Sequence, residues 1–442
     1  MPATNPSELY AAHLAVLDER LARALEVAGA DALVVYAGEE KLVHRSDEPY
    51  PFAAEPYFMA WVPLTRTPGS ILKLEPGKKP LVVYVQREDY WQESPPDPDG
   101  YWVEHCEIVV VPSPAAAREA IRPYAARAAA LGDAADESLS FRSANDPRVV
   151  KYLDFHRAWK TPYEIECIRE AAAIAVRGHR AVARRFGPGV SELELHFEYC
   201  RASGQRETDL PYGNIIALNE HAATLHYQNL RPGAPPVVRS LLIDAGAAWN
   251  GYACDITRTL HADTGRFAAL CAAMEELQQA LCDGARAGVD FIALHEDAHR
   301  RLAAVLADVG LVTASADEAL AAGVTEAFLP HGLGHLLGLE VHDAGGRQID
   351  PDGAERPPPD RHPFLRLTRV LEPGFVVTIE PGCYFIPALL RKLPERAARL
   401  LDRAAVDELV PFGGVRIEDD VAVAASGPPR NLTREAFAER AA

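Results

Sequence analysis

Apolar and polar positions follow different patterns on either side of residue 158. Before it, short apolar runs bounded by turn residues predict buried strands at residues 31–38, 70–73, 80–86 and 107–111. An amphipathic helix precedes the first strand, and the Ala-rich, Arg-containing residues 114–131 predict an exposed helix. Residues 1–158 are therefore predicted to form an α/β domain, a mixed sheet with flanking helices.

A second domain is predicted for residues 159–442. Its start carries a helix signal: Thr161 as N-cap, Pro162 at the first helical position, and Glu164 three residues after the cap. Further helices are predicted at residues 192–201, 265–287 and 292–309, and strands within residues 212–227, 240–245, 252–260, 376–385 and 414–423. This order of strands, helices and strands is typical of an α+β domain.

Composition narrows the classes of function. The formal net charge of −18 argues against a nucleic-acid surface, because phosphate binding needs clustered Lys and Arg. No apolar run approaches the roughly 18–20 residues that span a bilayer, and the N-terminus lacks the basic end and apolar block of a signal peptide. The seven cysteines contain no CxxC pair and predict no disulfide framework. We therefore expect a cytoplasmic protein that binds neither nucleic acid nor membranes.

Four acidic residues fall in apolar, strand-like runs. Asp244 ends SLLID, and Asp255 follows in GYACDITRTL, where a hairpin would bring the two acids side by side. Glu380 ends VVTIE, and Glu418 lies in GGVRIEDD. A buried, ionised carboxylate costs several kcal/mol unless it is paired or binds a metal. Two interpretations stay open: each acid caps a turn or meets an arginine such as Arg258, or the acids share bound cations.

The segment LPHGLGHLLGLEVHD, residues 329–343, places His331, His335 and His342 close together among glycines and apolar residues. Neutral imidazole is a common metal ligand and proton carrier. His335 and the four acids form a set that is rich in oxygen and lacks thiolate, which suits two divalent ions of the manganese, cobalt, iron or zinc kind. Such a site typically catalyses hydrolysis.

The remaining polar residues predict supporting roles. His226, His331 and His342 could hold a tetrahedral oxyanion or pass a proton to a leaving amine. Each alone is more often a hydrogen-bonded loop residue. Arg416 shares a strand face with Glu418 and could hold that carboxylate in place.

Five sequence blocks carry a resemblance to a known family: PYGNIIALNEHAATLHY, LIDAGAAWNGYACDITRTL, FLPHGLGHLLGLEVHD, TIEPGCYFI and PFGGVRIEDD. In this order they resemble the pita-bread metallopeptidases and, within them, the bacterial Xaa-Pro dipeptidases (prolidases). The resemblance implies a pita-bread catalytic domain at residues 159–442 that hydrolyses dipeptides with a C-terminal proline. Related enzymes that share these blocks hydrolyse organophosphates, so a side activity of that kind is also implied.

The resemblance also assigns roles to individual residues. It implies two divalent metal ions per subunit, typically manganese, bound by Asp244, Asp255, His335, Glu380 and Glu418. It implies a substrate site around Tyr212, His226, His331, His342 and Arg369, in which Arg369 meets the proline carboxylate and Glu380 carries a proton. It further implies a homodimer in which the N-terminal domain helps to close the site. The chain departs from many relatives at Leu336, where they carry a second histidine.

A competing motif lies upstream. The sequence HEDAH, with His295, Glu296 and His299, matches the zinc-protease pattern H-E-x-x-H. The sequence marks no third ligand for it, and the motif leaves the four strand acids unexplained. We therefore predict that His295 and His299 are structural.

Two rival functions remain within the pita-bread family. Aminopeptidase P shares the metal ligands but releases the first residue from longer peptides; the segment EPGCYFIPALL resembles prolidases more closely. A catalytically inactive binding module would be expected to lose ligands, whereas this chain keeps all five.

Overall fold

The computed structural model describes residues 6–91, 93–133 and 139–439. The chain divides into two compact units. The first consists of the described parts of Met1–Cys167 together with Trp249–Tyr252 and Ile349–Ala354, and the second of the described parts of Ile168–Ala248, Ala253–Gln348 and Glu355–Ala442. None of the helices in these ranges has the length and apolar character needed to cross a membrane.

Helices and strands alternate along both units. In chain order, the helices of the described residues are α1 Pro6–Ala28, α2 Pro56–Met59, α3 Pro114–Ile121, α4 Pro147–Arg157, α5 Pro162–Arg185, α6 Glu192–Ser203, α7 Arg266–Gly284, α8 Phe291–Asp308, α9 Ala316–Ala321, α10 Thr325–Phe328, α11 Pro387–Lys392, α12 Glu395–Ala398, α13 Arg403–Leu409 and α14 Leu432–Ala438. The strands are β1 Ala32–Tyr36, β2 Ile71–Leu74, β3 Leu81–Val85, β4 Glu107–Val111, β5 Ala128–Leu131, β6 Ser143–Ala144, β7 Ile215–Leu218, β8 Ser240–Asp244, β9 Ala248–Trp249, β10 Tyr252–Ala253, β11 Thr257–His261, β12 Val376–Ile379, β13 Gly382–Tyr384, β14 Gly414–Arg416, β15 Asp419–Ala422 and β16 Arg430–Asn431.

The first unit contains a mixed sheet with the strand order β4-β3-β2-β1-β5-β6. Strand β1 pairs antiparallel with β2 and parallel with β5. Every residue of β1 is buried, as its uninterrupted apolar run predicts. Helix α3 covers one face, where Ala117 and Ile121 join a core cluster with Ile71 and Val83. The predicted mixed sheet with flanking helices is confirmed.

The helix predicted for residues 114–131 is wrong in its second half. Helix α3 ends at Ile121, a 3-10 segment occupies Arg122–Arg127, and Ala128–Leu131 forms the fully buried strand β5. Pro123 explains the end of the helix, because proline lacks the N–H that continues the ladder of hydrogen bonds. The alanines favour a helix by propensity, but their pairing with β1 in the core decides the conformation.

The helix signal at the start of the second predicted domain is confirmed. Thr161 N donates to Glu164 Oε2 at 2.8 Å, and Glu164 N donates to Thr161 Oγ1 at 3.4 Å. These reciprocal bonds form a capping box, and α5 begins at Pro162.

The second unit contains two antiparallel three-stranded sheets, ordered β11-β8-β7 and β12-β15-β16, and the pair β13–β14. In the sheet β11-β8-β7, Asp244 lies opposite Thr257 of β11. An isolated antiparallel bridge joins Thr257 to Glu418. Helix α7 contacts β11, β12 and β14 and packs against α8. The acidic ends of distant strands are therefore brought to one place.

Three of the predicted strands are broken, and each break carries an acidic residue. The breaks fall between β10 and β11, between β12 and β13, and between β14 and β15. Asp255, Glu380 and Glu418 lie in them, at points where the chain leaves one strand partner for another. The pattern of apolar residues continues through each point at which the chain changes its strand partner. The sequence pattern therefore could not reveal the breaks.

The strand predicted within residues 212–227 is also shorter than expected. Strand β7 ends at Leu218, and Asn219 adopts a positive φ of 56°. The Asn219 side chain accepts from Arg239 N at 2.7 Å and donates to Val237 O at 2.7 Å. Asparagine tolerates this left-handed conformation better than most residues, so it ends the strand at this point.

Candidate metal and peptide site

A cavity of about 480 Å³ in the second unit collects most of the predicted site residues. Its lining includes Asp244, Asp255, Glu380, Glu418, His226, His331, His335, His342 and Arg416. Such a volume suits a small ligand. Of the predicted residues that the structure describes, Tyr212 and Arg369 do not line it.

The potential ligand atoms converge on one point. Asp255, His335 and Glu418 each offer an atom within 4.8 Å of the others. His335 Nε2 lies 3.5 Å from Asp255 Oδ2 and 3.7 Å from Glu380 Oε1. His335 Nδ1 donates to the Leu336 carbonyl oxygen at 2.9 Å, so Nε2 carries the lone pair that faces the acids.

Backbone contacts with β12 hold His335 in this position. Thr378 N donates to His335 O at 3.0 Å, and His335 N donates to Thr378 Oγ1 at 3.1 Å. A Cβ atom at Gly334 would lie 1.9 Å from Thr378 O. The histidine segment therefore needs a glycine there to reach the strand so closely.

Arg416 binds Asp244 directly and reaches Glu418 through Thr257. Its Nη2 donates to Asp244 Oδ2 at 2.6 Å, and its Nε donates to Thr257 Oγ1 at 3.2 Å. Thr257 Oγ1 in turn donates to Glu418 Oε2 at 2.7 Å. The expected direct hold of Arg416 on Glu418 is therefore replaced by a relay. Arg258, the alternative partner considered for the acids, pairs with Asp419 at 2.7 Å.

Burial makes the acidic cluster unfavourable without a cation. It raises the pKa of Asp244 to about 6 and the pKa of Glu380 to about 7, and it raises the pKa of Glu418 well above the usual value. Mutual repulsion among the acids adds to each shift. Asp244 Oδ1 is buried and has no hydrogen-bond partner among the described atoms. A divalent cation would supply the missing charge and a partner for this oxygen.

Tyr212 contacts a potential ligand instead of the open cavity. Its hydroxyl donates to Asp255 Oδ1 at 2.5 Å. Asp255 N donates to both carboxylate oxygens of Asp420, at 3.3 and 3.2 Å. Asp255 is thus held on two sides while its Oδ2 faces His335.

The three other histidines differ in what they can offer a substrate. His331 Nδ1 donates to the Gly332 carbonyl oxygen at 2.8 Å, so its Nε2 accepts from the Tyr384 hydroxyl at 2.9 Å. Burial lowers the pKa of His331 to about 4, which keeps this ring neutral. His226 and His342 are exposed and line the cavity, where a bound molecule could reach them.

The structure does not bring Arg369 to the cavity. Arg369 is 5% exposed, stacks over the Phe375 ring at 4.9 Å, and donates to Gly345 O at 3.3 Å. Arg366 is exposed and lines the cavity instead. The sequence carried a signal for Arg366, because the apolar residues Leu365 and Leu367 flank it and such alternation turns residue 366 towards solvent. Both leucines are fully buried in the structure.

Comparison with known proteins identifies the family of the chain. Residues 166–425 match the family described as metallopeptidase family M24, and residues 8–155 match the Xaa-Pro dipeptidase N-terminal domain. The chain is 49% identical over 440 residues to a protein named Xaa-Pro dipeptidase from Xanthomonas campestris pv. campestris, covering 99% of this chain and 100% of the relative. It is 47% identical over 436 residues to the Xaa-Pro dipeptidase of Stenotrophomonas maltophilia, covering 98% of each.

Solved structures show the same fold at lower identity. Aminopeptidase PepP from Pseudomonas aeruginosa matches with a TM-score of 0.73 at 23% identity, covering 98% of this chain and 96% of that one. Aminopeptidase P from E. coli, solved with the inhibitor Pro-Leu, matches with a TM-score of 0.69 at 21% identity, covering 95% of each chain. The predicted fold class, an α/β domain followed by a pita-bread catalytic domain, is confirmed. The chain is a metal-dependent hydrolase and belongs to metallopeptidase family M24.

Proposed function

We propose that this protein is an Xaa-Pro dipeptidase, which hydrolyses dipeptides whose second residue is proline. The relatives from Xanthomonas and Stenotrophomonas carry that name, and this chain matches them over nearly their whole length. The observation that carries the proposal is the exposed residue Arg366 in the lining of the same cavity as the acidic cluster. A dipeptide places its C-terminal carboxylate directly after the scissile bond, where a cation would bind it.

The proposed ligands are Asp244, Asp255, His335, Glu380 and Glu418, and they are proposed to hold two divalent ions, with manganese as the first candidate. Their chemistry fits: the oxygen donors outnumber the single imidazole, and Asp244 Oδ1 lacks another partner among the described residues. When bound, such ions lower the pKa of a water molecule and polarise the scissile carbonyl group.

Glu380 is the proposed proton carrier. Its side chain is 18% exposed, whereas those of Asp244, Asp255 and His335 are 12%, 8% and 5% exposed. Of these four residues, Glu380 is therefore best placed to meet a water molecule in the cavity. Its carboxylate would take the proton of the attacking water and deliver it to the proline nitrogen, which has no N–H of its own and leaves as an amine.

The exposed histidines are proposed to bind the reacting carbonyl group. His226 and His342 can each donate an N–H to the oxygen on which negative charge develops. Both ring nitrogens of His331 already make hydrogen bonds, so we propose that His331 positions other residues and does not contact the substrate. The Tyr384 hydroxyl donates to His331 and accepts from Arg416 Nη1 at 2.9 Å. This chain of bonds would keep Arg416 directed towards Asp244.

The first test compares substrates before and after metal removal. Protein treated with EDTA should be inactive, and manganese should restore hydrolysis of Gly-Pro but not of Gly-Ala. Preferred cleavage of Gly-Pro-Ala would assign the protein to aminopeptidase P activity, and failure to cleave any of these with metal bound would indicate a binding module.

The second test isolates Arg366. R366A should raise the KM for Gly-Pro by about 10- to 100-fold, as expected for loss of a bond between charged groups. Hydrolysis of Gly-Pro amide, which lacks the carboxylate, should be unchanged. R286A removes an exposed arginine that does not line the cavity and serves as the control. An unchanged KM in R366A would exclude this role.

We also propose that the protein is a cytoplasmic homodimer. All seven cysteines are free, which is typical of a reducing compartment. Tyr90 and Trp91 of the first unit are 87% and 80% exposed, and large exposed aromatic side chains of this kind are enriched at protein interfaces. Light scattering of the wild type and W91A tests the dimer: a monomeric wild type would exclude it.

A further inference from the structure

A cluster of three histidines lies in the second unit, among residues that do not line the catalytic cavity. His295 and His299 are four residues apart on α8 and share one face of that helix. His362 joins them from the proline-rich segment that follows the histidine segment. In the folded protein, the motif HEDAH thus lies beside a third potential ligand that the sequence did not mark.

The three rings surround a common point. Their centroids are 4.8 Å apart for His295–His299, 4.4 Å for His295–His362 and 4.5 Å for His299–His362. One nitrogen from each ring lies within 4.8 Å of the other two. Zinc binds imidazole nitrogen at about 2.0–2.1 Å, so small ring rotations would bring all three nitrogens to one ion.

The polar atoms of this cluster need a partner. His295 is 0% exposed and His299 is 2% exposed. Both ring nitrogens of His295 and Nε2 of His299 have no hydrogen-bond partner among the described residues. A buried polar group without a partner costs about 1–3 kcal/mol, and one ion would supply a partner for one nitrogen of each ring, so the unpaired atoms of His295 and His299 together indicate a ligand.

Thr325 orients His299 as in many metal sites. His299 Nδ1 lies 2.9 Å from the Oγ1 atom of Thr325, which is itself fully buried. When Nδ1–H donates to this hydroxyl, the lone pair of Nε2 points into the cluster. Hydrogen bonds of this kind commonly fix the tautomer of a metal-binding histidine.

We propose that His295, His299 and His362 form a second metal site that binds one divalent transition ion, zinc in the first place. Three imidazoles without a carboxylate or a thiolate suit zinc, copper or nickel and do not suit manganese, calcium or magnesium. Burial favours the neutral rings, which can bind a metal, because it lowers the pKa of His295 to about 2 and that of His299 to about 3 and also lowers the pKa of His362.

The proposed site is structural, and it does not act as a zinc protease. Glu296, the base in the H-E-x-x-H pattern, is exposed, whereas the two histidines of the motif are buried. The ion would instead fasten α8 to the segment of His362, whose backbone forms a turn: His362 N donates to Pro359 O at 2.8 Å and Leu365 N donates to His362 O at 3.1 Å. This segment continues into Arg366 at the catalytic cavity.

The test compares zinc binding among variants that share the same weakened catalytic centre, so that differences report on the three histidines. H335A removes one proposed catalytic ligand, and calorimetric titration of this full-length variant with zinc should show one tight equivalent. H335A/H362A should bind that zinc at least about 10-fold more weakly, since loss of a supporting partner alone commonly costs 10- to 100-fold. H335A/H44A, which removes an exposed histidine of the first unit, is the matched control.

A second variant guards against misfolding. H335A/T325V keeps all three imidazoles and should also weaken zinc binding by about 10-fold or more. Cobalt in place of zinc should give the visible absorption of a nitrogen-bound ion, and this band should be absent in H335A/H362A. Zinc should raise the Tm of H335A by more than it raises the Tm of H335A/H362A.

Two results would overturn the proposal. If H335A binds no zinc, the three rings pack against one another without an ion. If H335A/H362A binds zinc as tightly as H335A, the ion lies elsewhere. Neither result depends on peptide hydrolysis, so this proposal can fail while the proposed dipeptidase activity stands, and the reverse also holds.

Discussion

Arg416 and Asp244 form an ion pair of 2.6 Å whose side chains are only 5% and 12% exposed. The same guanidinium donates to Tyr384 and Thr257. Placing a charged pair in the interior costs several kcal/mol in lost hydration, which further hydrogen bonds must offset. The main role of the ion pair is therefore to orient Asp244. The hydrogen bonds of Arg416 to Tyr384 and Thr257 offset the cost of burying the pair.

Replacing Arg416 should separate its charge from its geometry. R416A should lower the free energy of unfolding by about 3–5 kcal/mol, because it leaves Asp244 buried without its partner. R416K should recover part of that stability but little peptidase activity, since a lysine ammonium cannot reach three acceptors in the planar arrangement. Urea unfolding and Gly-Pro hydrolysis measure the two effects, and an R416A variant as stable as the wild type would contradict the first.

The hydroxyl of Thr257 should control metal affinity through Glu418. T257V keeps the shape of the side chain but removes the donor to Glu418 Oε2. We expect the affinity for the catalytic metal to fall by about 10- to 100-fold. T257S retains the hydroxyl and should remain close to the wild type. Competition with a fluorescent chelator measures the affinity; equal affinities in T257V and T257S would rule the relay out.

Glu192 should be a major determinant of local stability near His226. This carboxylate is 1% exposed and accepts from Leu218 N, His221 Nδ1, the Tyr227 hydroxyl and Arg231 N at 2.6–2.9 Å. E192Q turns one acceptor into a donor and should cost about 3 kcal/mol in unfolding free energy.

Two variants calibrate that loss. Y227F removes a single donor and should cost about 1 kcal/mol. E194Q changes an exposed acid in the capping box of the same helix and should cost much less. Because Leu225 and His226 lie between two of the anchored residues, E192Q should also raise the KM for Gly-Pro. An E192Q variant no less stable than E194Q would refute the expectation.

His179 should make the protein sensitive to acid. Burial lowers its pKa to about 3 from an ordinary value of 6.5. At pH values between 3 and 6.5, the unfolded chain binds a proton at His179 that the folded chain does not. The contribution of His179 to the free energy of unfolding is therefore fully present above pH 6.5. It falls by about 1.4 kcal/mol per pH unit as the pH decreases towards 3.

The variant H179Q isolates this contribution. Glutamine retains an N–H for the Ala245 carbonyl oxygen, which His179 Nε2 contacts at 2.9 Å, and does not titrate. From pH 7.5 to pH 5.0, the wild type should lose about 2 kcal/mol more stability than H179Q. Urea unfolding at both pH values provides the comparison, and parallel losses in the two proteins would show that His179 does not contribute.

The chemistry of the site was easier to predict from the sequence than its geometry. Asp244 and Glu380 stood out because charge in an apolar run demands a partner, a local argument that needs no coordinates. The resemblance pointed to Arg369, and Arg366 was not considered, because the burial and direction of a side chain are not local information. His362 escaped notice for a similar reason: only folding brings it to His295 and His299, and nothing in its own segment marks it.

The strand breaks set a limit on how this site can form. A shift of one residue in any of the ladders β8–β11 or β12–β15 would turn Asp244 or Ile379 to the opposite face and carry the adjoining acid away. The bridge between Thr257 and Glu418 would then be lost as well. Tight metal uptake by the purified protein is thus a readout of strand alignment, and it would distinguish correctly paired molecules from compact, misaligned ones that circular dichroism cannot tell apart.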